Sequence, residues 1–321
     1  MKLQTQILLE KQSERLIDYK SNVLLLGSCF SENIGDKLSY FKFQSLQNPF
    51  GILFHPKAIE TLIFNAVSGK KYSKADVFQY NEQWHCFDAH SKLSNSSKEA
   101  LLSVLNLNVQ STYQQLNKAS HIIITLGTAW VYRFVQSDHI VANCHKIPQK
   151  QFKKELLSVE EIVSSLSKTV ELIRSIKSKV PIIFTVSPVR HLKDGFVENT
   201  QSKAHLITGI HQYLKSESFI ENNQSSYFPS YEIMMDELRD YRFYASDMIH
   251  PNQTAIDYIW EKFNTVWVSE SAVKTMNEVE IIQKGFQHKP FNPKSQAHQK
   301  FVQNLENKAT QLQSQFPHIV F

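Results

Sequence analysis

The sequence predicts an open α/β sheet with helices on both faces, and three observations carry that prediction. Short aliphatic runs, Val23–Leu26, Ile122–Leu126 (in HIIITLG) and Pro181–Val186 (in PIIFTVSP), each end in a small or turn-forming residue, as parallel strands buried on both faces do. Stretches with apolar residues at helical spacing lie between and after these runs, the alternation expected of βαβ units. The chain has 321 residues, 42% of them hydrophobic, which is ample for a large core.

Taken in chain order, the first helical pattern is Lys57–Val67, with Ala58, Ile59, Leu62 and Ile63 on one face. The next, Val159–Ile176, repeats Ile162, Leu166, Val170 and Ile173 over several turns. Pro251–Trp267 follows with Ala255, Ile256, Ile259, Trp260 and Phe263, after a proline suited to the first helical position. Two segments break the rhythm. Val77–Leu93 (VFQYNEQWHCFDAHSKL) and Trp130–Pro148 (WVYRFVQSDHIVANCHKIP) are aromatic-rich, partly alternating and turn in the middle, and so read as hairpin insertions. From about Ser269 the chain turns polar, with a break at PFNPKS and a helix-compatible stretch at His298–Gln315. The division is residues 1–268 as one α/β domain and residues 269–321 as a helical extension packed on it.

Composition narrows the function classes. The formal charge is +5 with lysines spread along the chain, so no nucleic-acid footprint is expected. The opening MKLQTQILLEKQSERLIDYK has no apolar signal core, and no uncharged run approaches the ~18 residues of a membrane span, so a cytoplasmic protein without a membrane partner is expected. Three cysteines, Cys29, Cys86 and Cys144, cannot all pair within one chain, which favours reduced thiols.

In open α/β sheets ligands bind beyond the carboxyl ends of the strands. Those ends carry Gly27-Ser28-Cys29-Phe30, Gly127-Thr128-Ala129-Trp130 and Ser187-Pro188-Val189-Arg190. Later comes SDMIHPNQ, where Asp247 stands three residues before His250. At that spacing a carboxylate can reach back to the imidazole, fix its tautomer and support the cation formed when the other ring nitrogen takes a proton.

VLLLGSCFSENIG resembles the first block of the SGNH (GDSL-like) hydrolases, in which a strand runs into a nucleophilic serine, and its GSCF is the signature of the GSCFA family, a branch of that superfamily. The other blocks fall in the expected order over Val23 to Phe263. NPFG (Asn48–Gly51) stands where the second block supplies an oxyanion-hole glycine, TLGTAW (Thr125–Trp130) where the third reads Gly-x-Asn-Asp, and SDMIH where the last reads Asp-x-x-His. The resemblance implies a three-layer α/β/α sandwich, flavodoxin-like, with a central mostly parallel sheet.

It also implies acyl-ester chemistry, hydrolysis or O-acyl transfer on a small-molecule or saccharide ester, with no metal or organic cofactor. Cys29 takes the nucleophile's place, Ser28 that of the usual aspartate, and Ala129 that of an oxyanion-donating asparagine. A Cys29–His250–Asp247 triad follows, with the Cys29 and Gly51 amides holding the oxyanion. Asn143, His90 or Thr128 are the candidates to replace the lost donor.

Alternatives stand beside this reading. Ser28 can be the nucleophile with Cys29 structural, or Cys29 can simply pack at a tight turn. The scaffold can serve as a non-catalytic ligand-binding protein. Gly27, Gly51 and Gly127 serve a turn whether or not a substrate is present. His85, Cys86, His90, Cys144 and His145 include potential zinc ligands, but there is no Cys-x-x-Cys pair and the spacing fits no common zinc module, so no metal site is expected. The hairpins are expected to fold over the strand ends as a lid, with Trp84, His90, Tyr132, Asn143 and His145 lining a pocket. Arg190 and Lys203 are candidates for gripping an anionic group.

Overall fold

The computed structural model describes residues 5–217 and 224–321. Five parallel strands, β1 (Asn22–Gly27), β2 (Gln44–Gln47), β5 (His121–Leu126), β9 (Ile182–Val186) and β10 (Ser225–Phe228), form one sheet in the order β10-β9-β5-β1-β2. Between β2 and β5 lie α2 (Pro56–Val67), the hairpin β3 (Phe78–Tyr80) and β4 (Gln83–His85), and α3 (Lys98–Lys118). Between β5 and β9 lie a three-stranded antiparallel sheet, β6 (Trp130–Phe134), β7 (His139–Val141) and β8 (Phe152–Leu156), and then α4 (Val159–Ile176). α1 (Cys29–Tyr40) links β1 to β2, and α5 (Phe196–Glu217) follows β9. The chain closes with a short turn α6 (Ser230–Glu232), then α7 (Gln253–Trp267), α8 (Glu270–Gln287) and α9 (Gln296–Gln315).

Side chains alternate across a strand, so each aliphatic run serves two cores at once. Leu24, Leu26, Ile122, Ile124, Ile182 and Phe184 face α2, α3, α4 and α5. Val23, Leu25, Ile123 and Ile183 face α1, α7, α8 and α9. The result is a three-layer sandwich. Ile282 of α8, Ala309 and Leu312 of α9, and Ile319 beyond it belong to the same cluster as Val23 and Leu25, so the polar tail presents one apolar stripe to the sheet's second face.

Both segments expected to be hairpins pair as antiparallel strands, and the second gains a partner that its sequence hides. β8 reads FKKEL and has almost no apolar signature; its pairing with β6 defines it. β2 (QSLQ) and β10 (SSYF) are polar for a similar reason, since both lie at sheet edges. Pro251 is not the first residue of α7. The helix starts at Gln253, its cap is Asn252, whose Oδ1 accepts from Ala255 N at 3.1 Å, and Pro251 sits in an isolated bridge with Tyr244. Asparagine supplies the cap acceptor that proline lacks. Among the described residues no helix is long and apolar enough to cross a membrane.

Strand order places the topological switch between β1 and β5. From β1 the chain moves one way to β2, then returns to build β5, β9 and β10 on the other side. The helices diverge there and leave a crevice at the carboxyl ends.

Candidate active site

The β1–α1 turn at this crevice is fixed from three sides. Gly27 has φ +131°, and a Cβ there would lie 2.0 Å from the Thr125 carbonyl oxygen, so only glycine lets β1 and β5 approach so closely. Asn48 Oδ1 accepts from Gly27 N at 2.9 Å, and Ser28 N donates to Thr125 O at 3.0 Å. Ser28 is fully buried as the N-cap of α1, and its Oγ accepts a long 3.4 Å bond from Phe30 N.

Cys29 is therefore the first helical residue, half-buried at the positive end of a twelve-residue helix. Its amide belongs to the first turn, where no intrahelical acceptor exists. Burial pushes the Cys29 thiol up; Lys203 opposes this most strongly, and the amides of Cys29 and Phe30 assist.

In the segment before α7, Met248 takes φ +58° and folds the chain back so that one carboxylate collects three donors. Asp247 Oδ1 accepts from Ile249 N at 2.9 Å and His250 N at 3.0 Å, and Oδ2 meets His250 Nδ1 at 2.6 Å. The backbone bonds, and then the ring, hold the Asp247 carboxyl down at about 2. This geometry puts the imidazole proton on Nδ1 and leaves Nε2 to receive another. His250 and Cys29 line the same cavity of about 520 Å³, and among the described residues no direct hydrogen bond joins them.

Thr128 and Asn143 line this cavity as well, beside the apolar and aromatic surfaces of Ile52, Phe54, Trp130 and Tyr132. Asn143 Oδ1 is fixed by His145 N at 2.8 Å, which leaves its amide group as the donor end. The Thr128 hydroxyl is engaged between Ser202 Oγ and Trp130 N, both at 3.0 Å. The Gly51 amide donates to Asn48 O at 2.8 Å within its own turn and is not free to hold an oxyanion. Gly51, at φ +72°, instead makes room for His90, whose Cβ would lie 2.5 Å from a Cβ on Gly51.

His90 caps a short turn through Nδ1, which accepts from Lys92 N, and lies outside the cavity lining. His145 is buried elsewhere: its Nε2 meets Cys86 O at 2.7 Å and its ring packs 4.7 Å from that of His85. Burial holds it at about 4. Trp84 is likewise absent from the lining, so the lid over the strand ends comes from the β6–β7 hairpin and the segment after it, not from β3–β4. A larger cleft of about 820 Å³, lined by Lys70, Asp88 and His139 among others, lies under the two hairpins and contains none of the strand-end residues.

Lys203 sits behind the site. It is 1% exposed, and its Nζ donates to Gly127 O at 2.7 Å and Ser187 O at 2.8 Å, tying together the chain just beyond β5 and β9. Burial pushes it down to about 7. From sequence Lys203 reads as a grip for an anion or a solvated charge, and its burial rules out the second. Asn199, Lys203, Leu206, Ile210 and Tyr213 fall on one buried stripe of α5, so a helical pattern places this lysine at a core position.

A parallel α/β sheet whose switch-point cavity brings together a helix-terminal thiol and a carboxylate-oriented imidazole defines the class. The chain belongs to the GSCFA family, whose model matches residues 22–263, and the model of the GSCFA domain protein, C-terminal domain, matches residues 279–321. No curated protein matches it. Among solved structures it is similar to a carbohydrate esterase family 3 from Talaromyces cellulolyticus, at 10% identity and a TM-score of 0.37, over 81% of this chain and 99% of that one.

Proposed function

We propose that this chain is an SGNH-type acyl-ester hydrolase or O-acyltransferase, acting on a short acyl group carried by a saccharide or similar small molecule. The observation that carries the reading is that His250, held 2.6 Å from Asp247, lines the same switch-point cavity as Cys29. Cys29 Sγ attacks the ester carbonyl carbon while His250 Nε2 takes the thiol proton, and Asp247 supports the resulting imidazolium. The tetrahedral intermediate collapses by breaking the carbon–oxygen bond, and the alcohol leaves with the proton from His250. Water, or an acceptor hydroxyl, then attacks the thioester with His250 again as base; the carbon–sulfur bond breaks and the thiol is restored.

The Cys29 amide and the α1 N-terminus face the developing oxyanion, with the Asn143 amide group as the second donor in place of the asparagine that Ala129 replaces. Phe54, Trp130 and Tyr132 suit an acyl group or the apolar face of a sugar. A second reading, ligand binding without turnover, is favoured by the upward push on the Cys29 thiol and by its lack of a hydrogen bond to His250.

The deciding experiment is turnover of p-nitrophenyl acetate by wild type, Cys29→Ala and His250→Ala, with mass spectrometry of the quenched wild type. An acyl adduct on Cys29, with activity lost in both variants, is the expected result. No adduct, with a rate that ignores both substitutions, would sink the enzymatic reading in favour of binding.

A further inference from the structure

We infer that Arg190 grips an anionic group of the substrate, a carboxylate or a phosphate, within the groove that Cys29 and His250 line. The inference rests on the proposed reading of that cavity as an ester site, and it narrows the substrate class to anionic esters.

The placement is the first argument. Arg190 follows β9 at the carboxyl edge of the sheet and lines the cavity of about 520 Å³ that Cys29 and His250 also line. It lines a second pocket as well, of about 330 Å³, with Phe196, Tyr241, Tyr244 and Asp247 among its walls. Arg190, Leu192 and Ile249 belong to both linings, so the two hollows adjoin at the arginine. Phe196 and Tyr241, both largely exposed, give the second pocket aromatic faces of the kind a sugar ring packs against.

The guanidinium lacks a partner of its own. Arg190 Nε is buried without a hydrogen-bond partner. Among the described residues three carboxylates line the two hollows, and each is held by another cation: Asp194 by Lys154 at 2.6 Å, Asp240 by Arg242 at 3.7 Å and Asp247 by His250 at 2.6 Å. Arg239, the other arginine of the second lining, has Asp236 at 2.8 Å. A merely solvated arginine keeps its polar head in water, whereas this one gives up hydration at Nε with nothing in exchange. An incoming oxyanion removes that penalty, and the planar fork suits a carboxylate or phosphate through two parallel bonds.

The neighbouring groups agree. The first cavity carries Arg190 and Lys193 against Asp194 alone, a positive surplus that draws anions in. His191 lines it too, with its ring edge-on to Phe54 at 5.4 Å and its Nε2 buried without a partner. That Nε2 and Ser28 Cβ both lie 3.2 Å from the point a Cβ on Gly127 would occupy, so the loop carrying Arg190 reaches the nucleophile turn.

The test reads binding, not turnover. Isothermal titration calorimetry compares glucose, glucuronate and glucose 6-phosphate on wild type and Arg190→Met, with urea unfolding as the control for folding. Wild type should bind at least one acidic sugar about ten- to a hundredfold more tightly than glucose, with the preference weakened by salt. Glucuronate ahead assigns a carboxylate, and glucose 6-phosphate ahead a phosphate. Arg190→Met should abolish the preference. No preference in wild type, or one that survives in folded Arg190→Met, overturns the inference.

If Arg190→Met does not fold, protection of the wild type decides. Phenylglyoxal modification of Arg190 is followed by peptide mass spectrometry, with Arg133, which lines neither hollow, as the reference. The preferred acidic sugar at about ten times its Kd should slow modification of Arg190 about tenfold and leave Arg133 unchanged. An unprotected Arg190 overturns the inference. Ester turnover without an anion preference would do the same while leaving the catalytic reading in place. Anion binding that depends on Arg190, in a protein that turns over no ester, would count against the catalytic reading alone.

Discussion

Asp247→Asn removes one charge from the candidate site and keeps its shape. Asparagine Oδ1 can still accept from Ile249 N and His250 N, so the loop has reason to stay folded. Its amide group then faces His250 Nδ1, which sits 2.6 Å from a carboxylate oxygen in the native protein. Nδ1 must become the acceptor, and the ring proton moves to Nε2, the nitrogen needed to receive the thiol proton.

Two effects set the size of the loss. The first is the lost attraction between the carboxylate and the imidazolium that forms on proton uptake. The side chains are 50% and 46% exposed, so solvent screens that attraction and keeps it modest. The tautomer penalty adds to it, and a fall of about 10²–10³ in kcat/KM is expected. The assay is p-nitrophenyl acetate hydrolysis across pH 6–9, with urea unfolding of both proteins as a control. A variant within about threefold of wild type, with the same pH profile, would refute the role given to the pair.

Asn143→Ala should lower kcat by about 10²-fold with little change in Tm, as the loss of an oxyanion donor does; an unchanged kcat would remove Asn143 from the mechanism. Gly27→Ala forces a Cβ to within 2.0 Å of Thr125 O at a positive φ, and should lower urea stability by about 3 kcal/mol or more or abolish folding. Stability should also fall on the acid side. Burial holds His55 and His145 at about 4 and His191 at about 3, below the ordinary 6.5. The unfolded chain therefore takes up protons first as pH drops through 6.5. Stability is present above that value and is lost progressively towards pH 4–3, with a slope of up to about 1.4 kcal/mol per pH unit for each histidine. His55 supplies a specific reason: Nε2 meets Val141 O, and Nδ1 accepts from Ala58 N to cap α2, a bond that protonation abolishes. His55→Asn, which keeps a cap acceptor without the titration, should flatten part of that limb in urea unfolding.

The sequence by itself determined the sheet's interior, because strands buried on both faces must be continuously apolar; Val23–Leu26, Ile122–Leu126 and Pro181–Val186 all lie in β1, β5 and β9 or directly beside them. It also determined the local part of the site. The Asp247–His250 spacing and the cysteine after Gly27 are matters of a few residues, and short-range geometry follows from short-range sequence.

Tertiary structure decided what depends on partners far away in the chain. β2, β8 and β10 are strands because neighbours pair with them, not because their side chains demand it. The Gly51 amide is consumed by Asn48, His90 fills the space that Gly51 leaves, and His145 turns into an aromatic cluster, none of which spacing reveals. Lys203 reaches the carbonyls of Gly127 and Ser187 across 76 and 16 residues of sequence. A chain position fixes which group is available, but burial and distance fix whether its charge is tolerated and what it acts upon, and those arise only when β5, β9 and α5 pack together.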